Sequence, residues 1–129
     1  MARYSARMVR ATASATLAVG QVTADATRPR RLRFYQVIFG SEAVAANNQF
    51  LWEAQRTTAI GTGTAVTPRA INQGDPASEQ DALETLTANG TLTAGEFPIS
   101  LPLNQQATFI WQSPPDGEIV TPATAANGL

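Results

Sequence analysis

Residues Asn47–Thr58 read NNQFLWEAQRTT. Two Asn at the start favour a turn, and the Thr pair at the end favours extended chain. Between them Phe50, Trp52 and Ala54 share one side of a period-two ribbon, and Leu51, Glu53 and Gln55 share the other. That alternation predicts a half-buried β-strand anchored by Trp52. A helix is the competing reading, because Leu51, Trp52 and Gln55 also share a helical face. The strand is preferred.

Upstream, Leu32–Phe39 (LRFYQVIF) is aromatic and β-branched, and Gly40–Ser41 stops it. Leu32, Phe34 and Ile38 lie on one parity, Tyr35, Val37 and Phe39 on the other, which predicts a strand covered on both faces. Ser41–Ala46 then links it to Gln49–Thr58, and the two are expected to pair as an antiparallel unit. Arg3–Thr16 alternates loosely and predicts an edge strand with an Arg-bearing face; a helix competes there too. Leu17–Arg31, with Gly20, Asp25 and Pro29, predicts a turn and loop.

Downstream, Ala59–Ala94 reads as a long excursion rich in Gly, Pro, Thr and Asn. Thr64–Thr67 predicts a short strand ended by Pro68. Ser78–Leu86 (SEQDALETL) predicts two helical turns, with Ser78 as N-cap and Asp81 in a capping-box-like place. Glu96–Gln112 returns to β structure: Ile99, Leu101 and Leu103 alternate, Asn104–Gln105 turns, and Ala107, Phe109 and Trp111 alternate again. Ser113–Gly117 (SPPDG) is a turn, Glu118–Thr121 a short closing strand, and Pro122–Leu129 a polar tail of small residues. A fixed internal repeat is not evident.

At 129 residues the chain fits one domain spanning 1–129. Short strands between Gly/Pro/Asn turns predict an all-β fold, an antiparallel β-sandwich or jelly-roll-like barrel with long loops and extended termini. Phe34, Trp52, Phe109 and Trp111 are the expected core anchors. Each indole N–H should find an acceptor if buried.

Composition removes much chemistry. The chain has no Cys and no His, and all nine basic residues are Arg. Thiolate sites, imidazole bases and Ser-His or Ser-Lys nucleophiles are therefore excluded. Asp75, Glu79, Asp81 and Glu84 lack calcium-loop spacing and read as a solvated acidic loop. Glu53 and Glu118 are weak candidates for a carboxylate pair. Gly61–Thr64 (GTGT) lacks the Lys and helix start of a phosphate loop and reads as a flexible turn. Catalytic residues, metal ligands and cofactors are not expected. No apolar run is long enough for a membrane span. Ala11–Val19, broken by Thr12, Ser14 and Thr16, is too polar for a secretory signal.

Charge is segregated. Seven of the nine Arg lie in Met1–Arg33 against one acid, Asp25; the remainder holds two Arg and nine acids. A basic arm that meets an acidic surface on a neighbour follows. Nucleic acid fits less well, since Tyr4 is the lone aromatic among the first Arg residues. Arg3, Arg7, Arg10, Arg30, Arg31, Arg33 and Arg69 are the candidate interface residues, on Met1–Arg33 and the Ala59–Ala94 excursion. Leu32–Phe39 and Gln49–Thr58 are candidate scaffold.

The segments Arg31–Ser41, Ala46–Thr58, Gly61–Pro68, Asn104–Trp111 and Pro122–Gly128 together resemble small virion structural proteins of tailed phages, of the capsid decoration (cement) type. The resemblance spans most of the chain as a pattern of strands and turns, without a catalytic signature. It implies an all-β protein on the capsid surface. The implied partners are the major capsid protein and copies of itself, as a homotrimer or other homo-oligomer, with no nucleic acid and no membrane. A tail, fibre or adaptor component is the alternative, and a carbohydrate-binding β-module with stacking Trp a more distant one.

Overall fold

The computed structural model describes residues 2–11, 16–41 and 44–129. The outer part of the expected Arg3–Thr16 strand, residues 12–15, and part of the Ser41–Ala46 link, residues 42–43, lie outside the described residues. Eleven strands form among those described: β1 (Tyr4–Ser5), β2 (Gly20–Ala24), β3 (Arg33–Phe34), β4 (Gln36–Phe39), β5 (Gln49–Ala54), β6 (Thr62–Val66), β7 (Arg69–Ala70), β8 (Gln80–Ala88), β9 (Ile99–Asn104), β10 (Phe109–Gln112) and β11 (Ile119–Val120). Every pairing is antiparallel, and the fold is all-β.

The anchor stretch is a strand. Along β5, Phe50, Trp52 and Ala54 turn inward while Gln49, Leu51 and Glu53 face out, so period two defeats the helical alternative. Its partner is β9, with Trp52 opposite Leu101 and Leu51 opposite Pro102. The expected pairing with Leu32–Phe39 does not occur. β4 pairs instead with β10, Val37 opposite Trp111 and Ile38 opposite Ile110. The two ribbons touch through Phe39 and Trp52, whose rings lie 5.5 Å apart and are tilted by 34°. The connection after Gly40 thus links strands that are not hydrogen-bonded neighbours.

Leu32–Phe39 splits at Tyr35 into β3 and β4. β3 pairs with β11, Phe34 opposite Ile119, while Ser113 N–H donates to the Tyr35 carbonyl at 2.8 Å. The chain from Phe109 to Thr121 therefore runs along Phe39 to Leu32, with the Pro114–Gly117 turn looping out between. The break changes parity. Leu32 is buried and Phe34 half-buried; beyond it Tyr35, Val37 and Phe39 are half-buried while Ile38 is 58% exposed. The doubled apolar pattern reflects this switch rather than a strand covered on both faces.

Three further expectations are corrected. Leu17–Arg31 is not all loop, because Gly20 opens β2. Ser78–Leu86 is not helical: Gln80–Ala88 is the longest strand, the centre of a three-stranded β2–β8–β6 sheet. Ala, Glu and Leu favour helix weakly, but strands on both flanks satisfy the β8 backbone and bury Ala82 and Leu86. Ser78 caps no helix; its Oγ accepts from Gln80 N–H at 3.1 Å. Gly61–Thr64 is likewise no flexible turn, since Thr62 opens β6.

The C-terminal residues are structural too. Val22 N–H donates to the Leu129 carbonyl (2.8 Å), and Leu129 N–H returns to Val22 (3.0 Å). Gly128 exchanges bonds with Thr57, both 3.0 Å, and Thr58 N–H donates to the Thr91 carbonyl at 2.9 Å. Hydrogen bonding thus runs from β6 through β8, β2 and residues 127–129 to 56–58 and 91–93. Around this sheet lie the buried apolar residues Ala24, Leu32, Ala82, Leu86, Ile99 and Ile119.

Candidate protein-docking cleft

A large cleft of about 2590 Å³ has Phe34, Tyr35, Val37, Phe39, Phe50 and Trp52 among its lining residues. Alternation in β4 and β5 aims Val37, Phe39, Phe50 and Trp52 to the less exposed side. The N-terminal arm lies along the cleft. Its β1 pairs with β7, Ile71 N–H donates to the Arg3 carbonyl at 2.9 Å, and Val9 N–H donates to Glu84 Oε2 at 2.9 Å.

Six of the seven candidate interface residues line this cleft: Arg3, Arg7, Arg10, Arg30, Arg31 and Arg33. Arg69 stands apart on β7. Their settings differ. The Arg3 guanidinium lies 5.2 Å from the Tyr35 ring centroid, a cation–π distance. Arg10 Nη1 donates to the Leu86 carbonyl at 2.7 Å, which ties it to the body. Arg30 shares Glu79 with Arg28, each at 3.2 Å. Arg31 and Arg33 are exposed.

Of the four expected core anchors, Phe34 and Trp52 stand in the cleft wall, while Phe109 and Trp111 lie outside it; all four are half-buried. Trp52 Nε1 is buried without an acceptor, contrary to the expectation that a buried indole finds one. The sequence reading did not single out Tyr35, Val37, Phe39 or Phe50 as site residues. Their alternation was visible, but which partner strand they faced was not.

The acidic groups disperse. Glu79 goes to Arg28 and Arg30, Glu84 takes Val9 N–H, and Glu53 accepts from Ser100 Oγ at 3.1 Å. Among the described residues, no three Asp or Glu stand close enough to hold a metal. Asp25 accepts from the backbone N–H of Arg28, then from the Thr27 hydroxyl and N–H, and these bonds hold its carboxyl below the usual range. Asp81 is pushed up by partial burial and then by the charge of Asp25, against a bond from Ala26 N–H.

A smaller pocket of about 230 Å³ lies beside the Arg56–Glu96 ion pair (3.4 Å). Arg56 Nη1 there donates to the Val120 carbonyl at 2.8 Å. A buried polar knot stands near it. Gln21 Nε2 donates to Thr57 Oγ1 and to the Ala59 carbonyl, both 2.9 Å, and Gln21 Oε1 accepts from Gly61 N–H at 2.8 Å. This knot fastens β2 to the chain after Thr57. The sequence carried no signal for it.

Compared with known protein families, curated proteins and solved structures, the chain matches none.

Proposed function

We propose that this is a structural protein of a tailed-phage virion, a capsid decoration protein that binds the major capsid protein and copies of itself at the shell surface. One observation carries the reading: six Arg and a set of aromatic side chains converge on one cleft. Such a surface suits adhesion by shape and charge. Small-molecule pockets usually run to about 300–1,000 Å³, so this cleft better fits a stretch of polypeptide. The sequence resemblance supplies the phage setting.

The test is binding to purified shells that lack the protein. Expected is saturable binding at many copies per shell, weakened by salt and by Arg31→Glu with Arg33→Glu. Binding at only a few sites per particle favours a tail or adaptor component instead. No affinity for shells or tails overturns the proposal.

A further inference from the structure

Building on the reading of the cleft as a protein-docking surface, we infer that a second copy of this chain completes it by laying an extended segment along an open edge of the β4–β10 or β5–β9 ribbon. Each of these ribbons has only two strands. Two-stranded ribbons are marginal in water, and among the described residues neither gains a third hydrogen-bonded strand. The edges that remain carry unpaired main-chain donors and acceptors. They border a cleft lined by aromatic and aliphatic side chains together with Arg, whereas protein interiors are close-packed. A strand from a partner satisfies both needs at once: its main chain pairs with the edge, and its alternate side chains fill the hollow. Trp52, whose Nε1 lacks an acceptor, stands in that wall.

Charge names the partner as another copy. The cleft lining holds six Arg against the acids Asp25, Glu53, Glu79 and Glu118, and Glu79 is already shared by Arg28 and Arg30. The other described charged residues have the opposite balance, with Asp75, Asp81, Glu84, Glu96 and Asp116 against Arg28, Arg56 and Arg69. The cleft of one copy is thus complementary to the outside of the next. A head-to-tail contact of that kind closes into a ring when its rotation permits.

The test uses the full chain. Sedimentation and light scattering across concentration, at low and high salt, should find an oligomer whose dissociation constant rises with salt. Arg31→Glu with Arg33→Glu should weaken it by about tenfold or more. Arg69→Glu, off the cleft, should not. Near-UV circular dichroism confirms that these surface variants fold. Hydrogen exchange should find β4 and β5 amides slower in the oligomer than in the diluted monomer.

A monomer at every concentration overturns the inference. So does an oligomer indifferent to the cleft pair, or one whose β4 and β5 amides exchange freely. A monomer that still coats shells leaves the decoration reading standing and sinks only this one. An oligomer without affinity for particles does the reverse.

Discussion

Gln21 and Thr23 point to the same side of β2, and both are almost wholly buried, at 4% and 1% exposure. Gln21 satisfies its amide through Thr57, Ala59 and Gly61, whereas Thr23 Oγ1 has no partner. A buried polar group without a partner costs about 1–3 kcal/mol, while replacing it by an isosteric methyl removes that cost. Gln21→Leu, which strands Gly61 N–H, should therefore lose about 2 kcal/mol in urea unfolding. Thr23→Val should be neutral or gain up to about 1 kcal/mol; a clear loss would show that the hydroxyl has a role. Asp81 gives a pH-dependent case. Its carboxyl is raised above the usual carboxylate range by burial and then by the charge of Asp25, so the folded state disfavours its charge. The penalty is absent below the unfolded value, grows as pH rises toward the folded value, and is constant above it. Asp81→Asn keeps an acceptor for Ala26 N–H and removes the charge. It should stabilise by a few tenths of a kcal/mol at neutral pH, and the gain should vanish in acid. Thermal melts across pH read both limbs.

The β8 strand marks where local sequence stops deciding the element. Thr62 pairs with Ala88 and Thr64 with Glu84, so three β8 residues face the single residue Gly63. Thr85 in that bulge has φ of +48°, uncommon for a β-branched residue, and its Oγ1 donates to the Val9 carbonyl at 2.9 Å. A Cβ on Gly63 would meet the Glu84 carbonyl oxygen at 2.7 Å and Leu86 Cα at 3.2 Å, both main-chain atoms. Gly63→Ala should cost about 1–3 kcal/mol by overpacking, while Gly74→Ala, with only Asn72 Oδ1 near at 3.7 Å, should cost little; urea midpoints compare the two. The expected helix at Ser78–Leu86 rests on Ala, Glu and Leu, whose helical preference two flanking strands override. Where period two is written in large side chains the sequence is legible, as in β5, β9, β10 and the Ser113–Gly117 turn. It is not legible in β2 (GQVTA) or at residues 127–129 (NGL), where small and polar residues predominate and burial depends on distant partners. The Arg-rich first third was legible because charge is segregated along the chain; that six of these Arg line one cleft was not. The aromatic wall was only half so, because pairing of β4 with β10 and of β5 with β9 sets which faces meet.

Across the whole molecule the decisive contacts are distant in sequence. Val22 bonds to Leu129, Thr57 to Gly128, and β3 to β11. Loop closure must precede the reward from such contacts, so all-β chains of this kind fold in about milliseconds to seconds. Local pieces differ in what they must close. β6 ends at Val66 and β8 begins at Gln80, whereas residues 127–129 must find both β2 and Thr57, far earlier in the chain. The last lane of the sheet is therefore expected to form after the transition state, once β2–β8–β6 already offers an edge. Gly128 isolates that step. A Cβ there would run into the Val22 carbonyl and the Thr23 Cα, so Gly128→Ala should cost about 1–3 kcal/mol. If the lane docks late, nearly all of that loss appears as faster unfolding and the refolding rate is unchanged. Gly63→Ala, in the more local β6–β8 pairing, should slow refolding instead. Stopped-flow tryptophan fluorescence over a denaturant series separates the two. Slowed refolding in Gly128→Ala with unchanged unfolding would mean that the molecule assembles outward from its most distant contact, and the order argued from loop length would be reversed.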